Sequence, residues 1–262
     1  AKKKKKAQKC WPGYEKKGTK MMFGKRYNNC VKKEEYSDWR EEIEYIDEPF
    51  NISELPLKKV YVLDDWLSPE LHHHFDSMIS QGQIWSKTNQ VGSKHATGLP
   101  HHSLWGASFF RNDMQPDNDA KLIDLHFVNY LITRLQTEFG FEWVRFQYAG
   151  LNSQTMGQHG TTHSDCQDED EWNLSFLYYP NRYWNPEWGG TLRFYDEHQQ
   201  GLDGRNEHIA NHQIGEVEFK SNRLLMFDGR IPHGADAPHD RARYADRRSL
   251  VVRGDEIQLC QQ

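Results

Sequence analysis

The sequence predicts a mainly β protein with a barrel-like core and supporting helices, and three observations carry that reading. After Gly140 short apolar or alternating runs recur between turn residues, the pattern of closed or sandwiched β architectures. Upstream of Gly140 the apolar residues repeat at helical spacing. The 262 residues are 13% aromatic with nine Trp, too aromatic for a disordered chain and long enough for one sizeable core with an appendage rather than two full domains.

Taken in order, the chain opens on a basic, aromatic-containing tail, residues 1–33. It has thirteen Lys or Arg against one acid, Glu15, a local charge of +12, so the remainder carries −17 of the net −5. Trp11, Tyr14 and Tyr27 are interleaved with the lysines, a mixture that suits an anionic partner such as nucleic acid or a solvated docking tail. The Trp-x-Gly-Tyr, Lys-Gly and Asn-Cys-Val pieces faintly resemble a segment at the ends of marine tailed-phage proteins. Residues 34–57 read as an acidic linker, with structure proper starting near Lys58. The remaining residues, 58–262, form the main domain, with helical support over 58–140 and the β core over 141–255.

Val60 to Leu63 reads as a strand. The next residues start a helix over 69–80, with Ser68 as N-cap, Pro69 at the first helical position and Glu70 in the first turn. His72, His73 and His74 fall on that helix about 100° apart, which prevents them sharing one ion, so a structural or surface role is expected. His95, His101 and His102 lie in a Gly- and Pro-punctuated loop that could cover the mouth of a site. A second helix is expected over 119–139, from Leu122, Leu125, Phe127, Val128, Leu131, Ile132 and Leu135. Strands follow at 143–148, 161–165, 173–179, 190–195, 216–220, 223–228 and 248–253, with 236–246 a polar loop. Cys10, Cys30, Cys166 and Cys260 form no C-x-x-C pair, so neither a zinc ribbon nor a disulfide framework is expected, and reduced thiols are favoured over a Cys10–Cys30 bridge. No apolar run approaches 18 residues and no signal peptide is apparent, so a soluble cytoplasmic protein is expected, host-cytoplasmic if viral.

The chemistry centres on His163 and Asp165. Residues two apart in a strand share a face, about 7 Å apart at the backbone, which puts an imidazole and a carboxylate within reach of one ion. An apolar run from Leu224 leads into His233, the best candidate for a third ligand. Two histidines and one carboxylate with open positions describe the facial triad of non-haem Fe(II) oxygenases.

Four blocks stand in order: Gln147-Tyr148-Ala149-Gly150; His163-Ser164-Asp165; Trp172 to Tyr179, continued by Trp188-Gly189-Gly190-Thr191-Leu192; and Leu224 to His233, followed by Arg247-Arg248-Ser249-Leu250. Over residues 146–253 the chain thereby resembles the double-stranded β-helix (jelly-roll, cupin-like) core of the Fe(II)/2-oxoglutarate dioxygenases, most closely their prolyl 4-hydroxylase-like branch. The resemblance implies Fe(II) as cofactor, 2-oxoglutarate and O2 as cosubstrates, and His163, Asp165 and His233 as ligands. Halogenases of the family replace the carboxylate with a small residue, so Asp165 implies hydroxylation. The arginine that grips the distal carboxylate of 2-oxoglutarate opens the closing strand, which implies Arg247, with Arg248 one register step away and Arg243 third. Tyr179 and Tyr148 match positions lining the same pocket. The substrate implied is a prolyl or other peptidyl residue, with a small molecule, sugar or nucleobase as the alternative, and segments 168–172, 181–188 and 197–212 as mouth loops. A non-catalytic metal-stapled β-barrel binding module is the reading from another class. A zinc hydrolase ranks last, because no Glu base accompanies the ligands. The oligomeric state is not readable.

Overall fold

The computed structural model describes residues 14–22, 25–32, 43–53, 57–82, 86–90, 103–111, 126–160, 162–166, 173–195 and 213–260. Two compact units divide the chain at Asp38. The first contains a hairpin of β1 (Tyr14–Met22) and β2 (Lys25–Lys32), paired antiparallel with a register shift between Lys16 and Thr19. The basic segment therefore carries a two-stranded ladder, where composition alone gave no hint of regular structure.

The second unit opens with β3 (Ile43–Ile46), β4 (Val60–Leu63) and α1 (Pro69–Gly82). It continues through β5 (Ser86–Gln90), β6 (Ser103–Arg111), α2 (His126–Phe139) and β7 (Phe141–Gln154). Then come β8 (Asn173–Tyr178), β9 (Leu192–Tyr195), β10 (Gln213–Val217), β11 (Leu224–Asp228), β12 (His233–Ala235) and β13 (Arg247–Leu259). An eight-stranded sheet runs β3-β4-β11-β8-β13-β7-β6-β5, facing a three-stranded sheet β10-β9-β12; this is the double-stranded β-helix. β3 pairs parallel with β4, so the stretch read as an acidic linker supplies the large sheet's edge strand.

Helix α1 begins where its start signal lies: Leu71 N–H donates to Ser68 Oγ at 3.4 Å, and His72 N–H to Ser68 O at 2.9 Å. Leu122 and Leu125 lie outside the described residues, as do His95, His101, His102, Trp172, Cys10 and the segments 168–172 and 197–212. Among the described residues Cys166 and Cys260 form no disulfide, and no helix is long and apolar enough to cross a membrane.

Alternation along the central strands separates two cores. Leu174, Phe176 and Tyr178 of β8, Leu224 and Met226 of β11, and Leu250 and Val252 of β13 pack on one face with Phe75, Ile79, Leu131, Leu135 and Phe139 of the helices. The intervening Leu177, Leu225, Phe227 and Val251 face the small sheet through Leu192, Phe194 and Val217. A side-chain period of two makes this partition obligatory, and a slip of one residue would exchange the two faces. His72 is part of the helix-side structure: its Nδ1 lies 2.6 Å from Tyr178 Oη and its Nε2 3.2 Å from Ser221 Oγ. With both ring nitrogens engaged and burial pushing its pKa down against the charge of Asp76, it is a core histidine.

Candidate metal centre and cosubstrate cavity

The expected strand over 161–165 is reduced to one bridge. Thr161 lies outside the described residues, and His163 alone pairs with His233, antiparallel, through N–H···O bonds of 3.0 and 2.9 Å. Two residues on, the Asp165 N–H is taken by Gly229 O at 2.7 Å. That bond draws the chain out of the ladder, so the shared-face argument from strand geometry does not describe how the two side chains meet. They meet nonetheless. The ligand atoms of His163, Asp165 and His233 lie within 4.8 Å of one another, with His163 Nε2 3.6 Å from Asp165 Oδ1 and His233 Nε2 3.9 Å from Asp165 Oδ2.

The protonation states suit a cation. His233 Nδ1 lies 2.9 Å from Ile231 O; this bond assigns the hydrogen to Nδ1 and turns the Nε2 lone pair toward Asp165. Burial drives the His233 pKa down to about 4, against the opposing pull of Asp165, so the ring is neutral at pH 7. Burial pushes the Asp165 carboxyl up, but the Arg253 guanidinium, together with the neighbouring His163 and His233 rings, outweighs it and holds the group well below the ordinary carboxylate range. A neutral imidazole and an ionised carboxylate are the ligand forms a divalent ion requires.

A cavity of about 210 Å³ extends from this cluster. It is lined along β13 by Arg247, Ser249, Val251 and Arg253, along β7 by Tyr148, Asn152 and Gln154, and across by Leu177 and Leu192. Each strand contributes alternate residues, and the register sets Arg247 against Gln154 and Arg253 against Tyr148. Arg247 is therefore inward and 2% exposed. Arg248 points to the other face, where it bonds Ser80 Oγ at 2.7 Å and Asp76 at 3.1 Å; Arg243 is exposed in the preceding loop.

Arg247 donates to Gly190 O at 2.8 Å, Gln154 Oε1 at 2.9 Å and Tyr179 Oη at 3.3 Å. It also packs on the Tyr179 and Phe219 rings at 5.0 and 4.8 Å. Among the described residues every one of these partners is uncharged. Burial accordingly lowers the Arg247 pKa, and Asp236, among the described residues the one carboxylate that influences it, is bonded to Arg193 at 2.7 Å. A fully buried guanidinium with neutral partners is costly, and the cavity in front of it suits an anion. Gly190 makes room for it: at φ +83° a Cβ would be strained and would stand 2.9 Å from Arg247 Cδ.

The structure thus brings His163, Asp165 and His233 together, and Arg247 with Tyr179. Tyr148 lines the same cavity but sits opposite Arg253, whose guanidinium carbon lies 5.2 Å from the tyrosine ring centroid. Sequence reasoning passed over Arg253, Gln154, Ser175 and Asn173. The signal was present: counting in twos from Arg247 reaches Arg253, and from Tyr148 reaches Gln154.

Residues 147–252 match the family model of the 2OG-Fe(II) oxygenase superfamily. No curated protein sequence matches the chain. Among solved structures, the chain is similar to a Trichoplax adhaerens prolyl hydroxylase, determined with a hypoxia-inducible-factor peptide fragment, at 18% identity over 75% of this chain and 83% of that one, with a TM-score of 0.45. A Pseudomonas putida prolyl-4-hydroxylase aligns at 16% identity over 78% and 93%, TM-score 0.43. A Burkholderia pseudomallei oxidoreductase of the 2OG-Fe(II) oxygenase family aligns at 11% over 80% and 96%, TM-score 0.45. The superfamily's chemistry uses Fe(II), 2-oxoglutarate and O2, and the donor set fits: two imidazoles and a carboxylate for the metal, an uncompensated buried arginine for a dicarboxylate.

Proposed function

We propose that this chain, placed by residues 147–252 in the 2OG-Fe(II) oxygenase superfamily, is a hydroxylase whose metal ligands are His163, Asp165 and His233 and whose cosubstrate residues are Arg247, Tyr179 and Tyr148. The observation that carries the reading is the buried Arg247, bonded among the described residues only to uncharged groups, in the same cavity as the His-Asp-His cluster. Dicarboxylate binding is the natural answer to both features. Arg247 would take the distal carboxylate through a charge-assisted pair, and Tyr179 would add its hydroxyl. His163, Asp165 and His233 would hold the cation. Leu177, Leu192 and Val251 exclude water from the wall between. When bound, the iron and its cosubstrates supply the oxidising power, with 2-oxoglutarate converted to succinate and CO2 as a substrate C–H bond is hydroxylated.

The substrate we favour is a prolyl or other peptidyl residue, supported by the likeness of the four sequence blocks to the prolyl 4-hydroxylase-like branch. The basic N-terminal segment, +12 over 33 residues, favours an anionic partner in addition, whose binding should weaken steeply with salt.

Anaerobic titration with Fe(II) and 2-oxoglutarate tests the centre. A visible charge-transfer band is expected at about 500 nm for such an open Fe(II) chelate, absent in His163→Ala and weakened in Arg247→Ala. No band at saturating ligand rejects the oxygenase reading. Proline-containing peptides that gain one oxygen atom, with succinate formed in step, would establish the substrate class; succinate coupled only to small molecules would reject it.

A further inference from the structure

The Asp165 carboxylate is held from two directions, and one of them leads away from the cavity. Arg253 Nη1 donates to Oδ1. At the other oxygen, Ser175 Oγ lies 2.7 Å from Oδ2 and, equally close at 2.8 Å, from Asn173 Oδ1. Asn173 turns its amide nitrogen to Asp255 Oδ1 at 2.6 Å. Asp255, 1% exposed, also accepts from Gln147 Nε2 and pairs with Arg145 Nη2 at 2.9 Å. Neighbouring strands bring these groups into register: Arg253 faces Ser175, and Asp255 faces Asn173, between β13 and β8. Arg253 and Asp255 both lie past residue 252, where the superfamily match ends.

The hydrogens in this chain can be counted. A serine hydroxyl carries one, yet Ser175 stands before two acceptors. Asn173 cannot relieve the shortage, because reversing its amide would set its oxygen against the Asp255 carboxylate. Among the described residues the network from Asp165 to Asp255 is therefore one hydrogen short, and a buried acceptor without a donor is unfavourable. A divalent cation that takes up electron density from Asp165 removes one demand on Ser175, whose hydrogen then satisfies Asn173.

We infer that Ser175, Asn173 and Asp255 form a positioning relay that holds the Asp165 carboxylate ready in the cation-free protein and is fully hydrogen-bonded once a divalent cation binds. The inference rests on the metal-centre reading above. It makes Asp255 a residue that sets the affinity of a site it does not touch, through the oxygen of a ligand carried elsewhere in the chain. Arg253 grips the opposite oxygen, so the carboxylate is fixed in rotation as well as in place.

Co(II) binding by the full chain tests it, because the visible d–d spectrum reports ligand geometry without any turnover. Ser175→Ala and Asp255→Asn are each expected to weaken Co(II) binding about ten- to hundredfold, the usual effect of losing a group that orients a ligand, and to alter the d–d band. Ser175→Thr, which keeps the hydroxyl, should restore both. Folded Ser175→Ala and Asp255→Asn proteins with wild-type affinity and spectrum overturn the relay. Should Asp255→Asn fail to fold, Ser175→Ala, which loses a single oxygen, decides alone. Wild-type protein that binds no Co(II) overturns the metal centre and the relay together, whereas binding indifferent to both substitutions overturns the relay only.

Discussion

Arg247 and Arg253 stand on the same face of one strand and line the same cavity, but they differ in counter-charge and in burial. Arg253 is bonded to the Asp165 carboxylate and lies over Tyr148. Arg247 is more deeply buried, 2% exposed, and is bonded to a carbonyl, an amide oxygen and a phenol. The first arrangement is self-sufficient. Among the described residues the second leaves a charge without a bonded counter-charge in a low-dielectric surrounding, which a protein sustains where a ligand supplies the missing anion. One arginine is thus structural support for the candidate metal ligand, and the other is half of the proposed 2-oxoglutarate site.

The largest expected effect follows from removing the unsatisfied charge. Arg247→Met should reduce 2-oxoglutarate affinity by about a hundredfold or more, the cost of losing one partner of a buried charge pair. Co(II) binding without cosubstrate should stay near wild type; isothermal titration of each ligand separately checks both. Equal 2-oxoglutarate affinity in the two proteins would remove the distinction between the arginines.

Arg253→Met should act on stability first. It strands a buried carboxylate, and breaking such a pair from one side costs about 3 kcal/mol, measurable by urea unfolding of metal-free protein. Added Mn(II) should recover part of the loss, since a bound cation replaces the guanidinium charge and favours the folded state by mass action. A variant as stable as wild type without metal would show that the Arg253–Asp165 pair contributes nothing.

A pH series sharpens the same end of the cavity. His233 has its pKa lowered to about 4 in the folded protein, against an unfolded value of about 6.5. Between these values the unfolded chain binds the proton and the folded one does not. Metal-free stability is therefore fully present above pH 6.5 and falls as the pH drops toward 4, by roughly 3 kcal/mol in all. His233→Gln should flatten that slope in urea midpoints collected across the window; an unchanged slope would place its origin elsewhere.

The smallest effect on the cavity is expected at Arg248. Its guanidinium faces α1 through Ser80 and Asp76, so Arg248→Ala should leave 2-oxoglutarate affinity within about twofold, a change of less than 1 kcal/mol. A loss matching that of Arg247→Met would mean that the strand is read in the wrong register.

Much of the fold is legible without coordinates. Most core strands and both helices follow from alternation, helical spacing and the Ser68-Pro69-Glu70 start, with strand ends that move by up to six residues, as at Gln154 of β7 and Leu259 of β13, whereas β5 and β6 fall in the stretch read as helical support. The candidate ligands are legible as well, because the His-x-Asp spacing and the apolar run into His233 are local patterns. What was not legible is what depends on sheet neighbours. β3 is held by parallel pairing to β4, a contact that its acidic flanks do not announce. The strand expected at 161–165 shrinks to one bridge because Gly229 O claims the Asp165 amide. Asp255 and Asn173 are unremarkable polar residues until β13 and β8 bring them opposite each other.

The sequence by itself determined the class of fold, the alternation that divides it into two faces, and the candidate cation ligands, since all three rest on patterns within one strand, one helix or one short motif. Only the tertiary structure decided which arginine enters the cavity, which tyrosine meets it, and how Asp165 is held. Those outcomes depend on inter-strand register. A shift of one residue would exchange Arg247 for Arg248, and register is set jointly by many side chains distant in the chain.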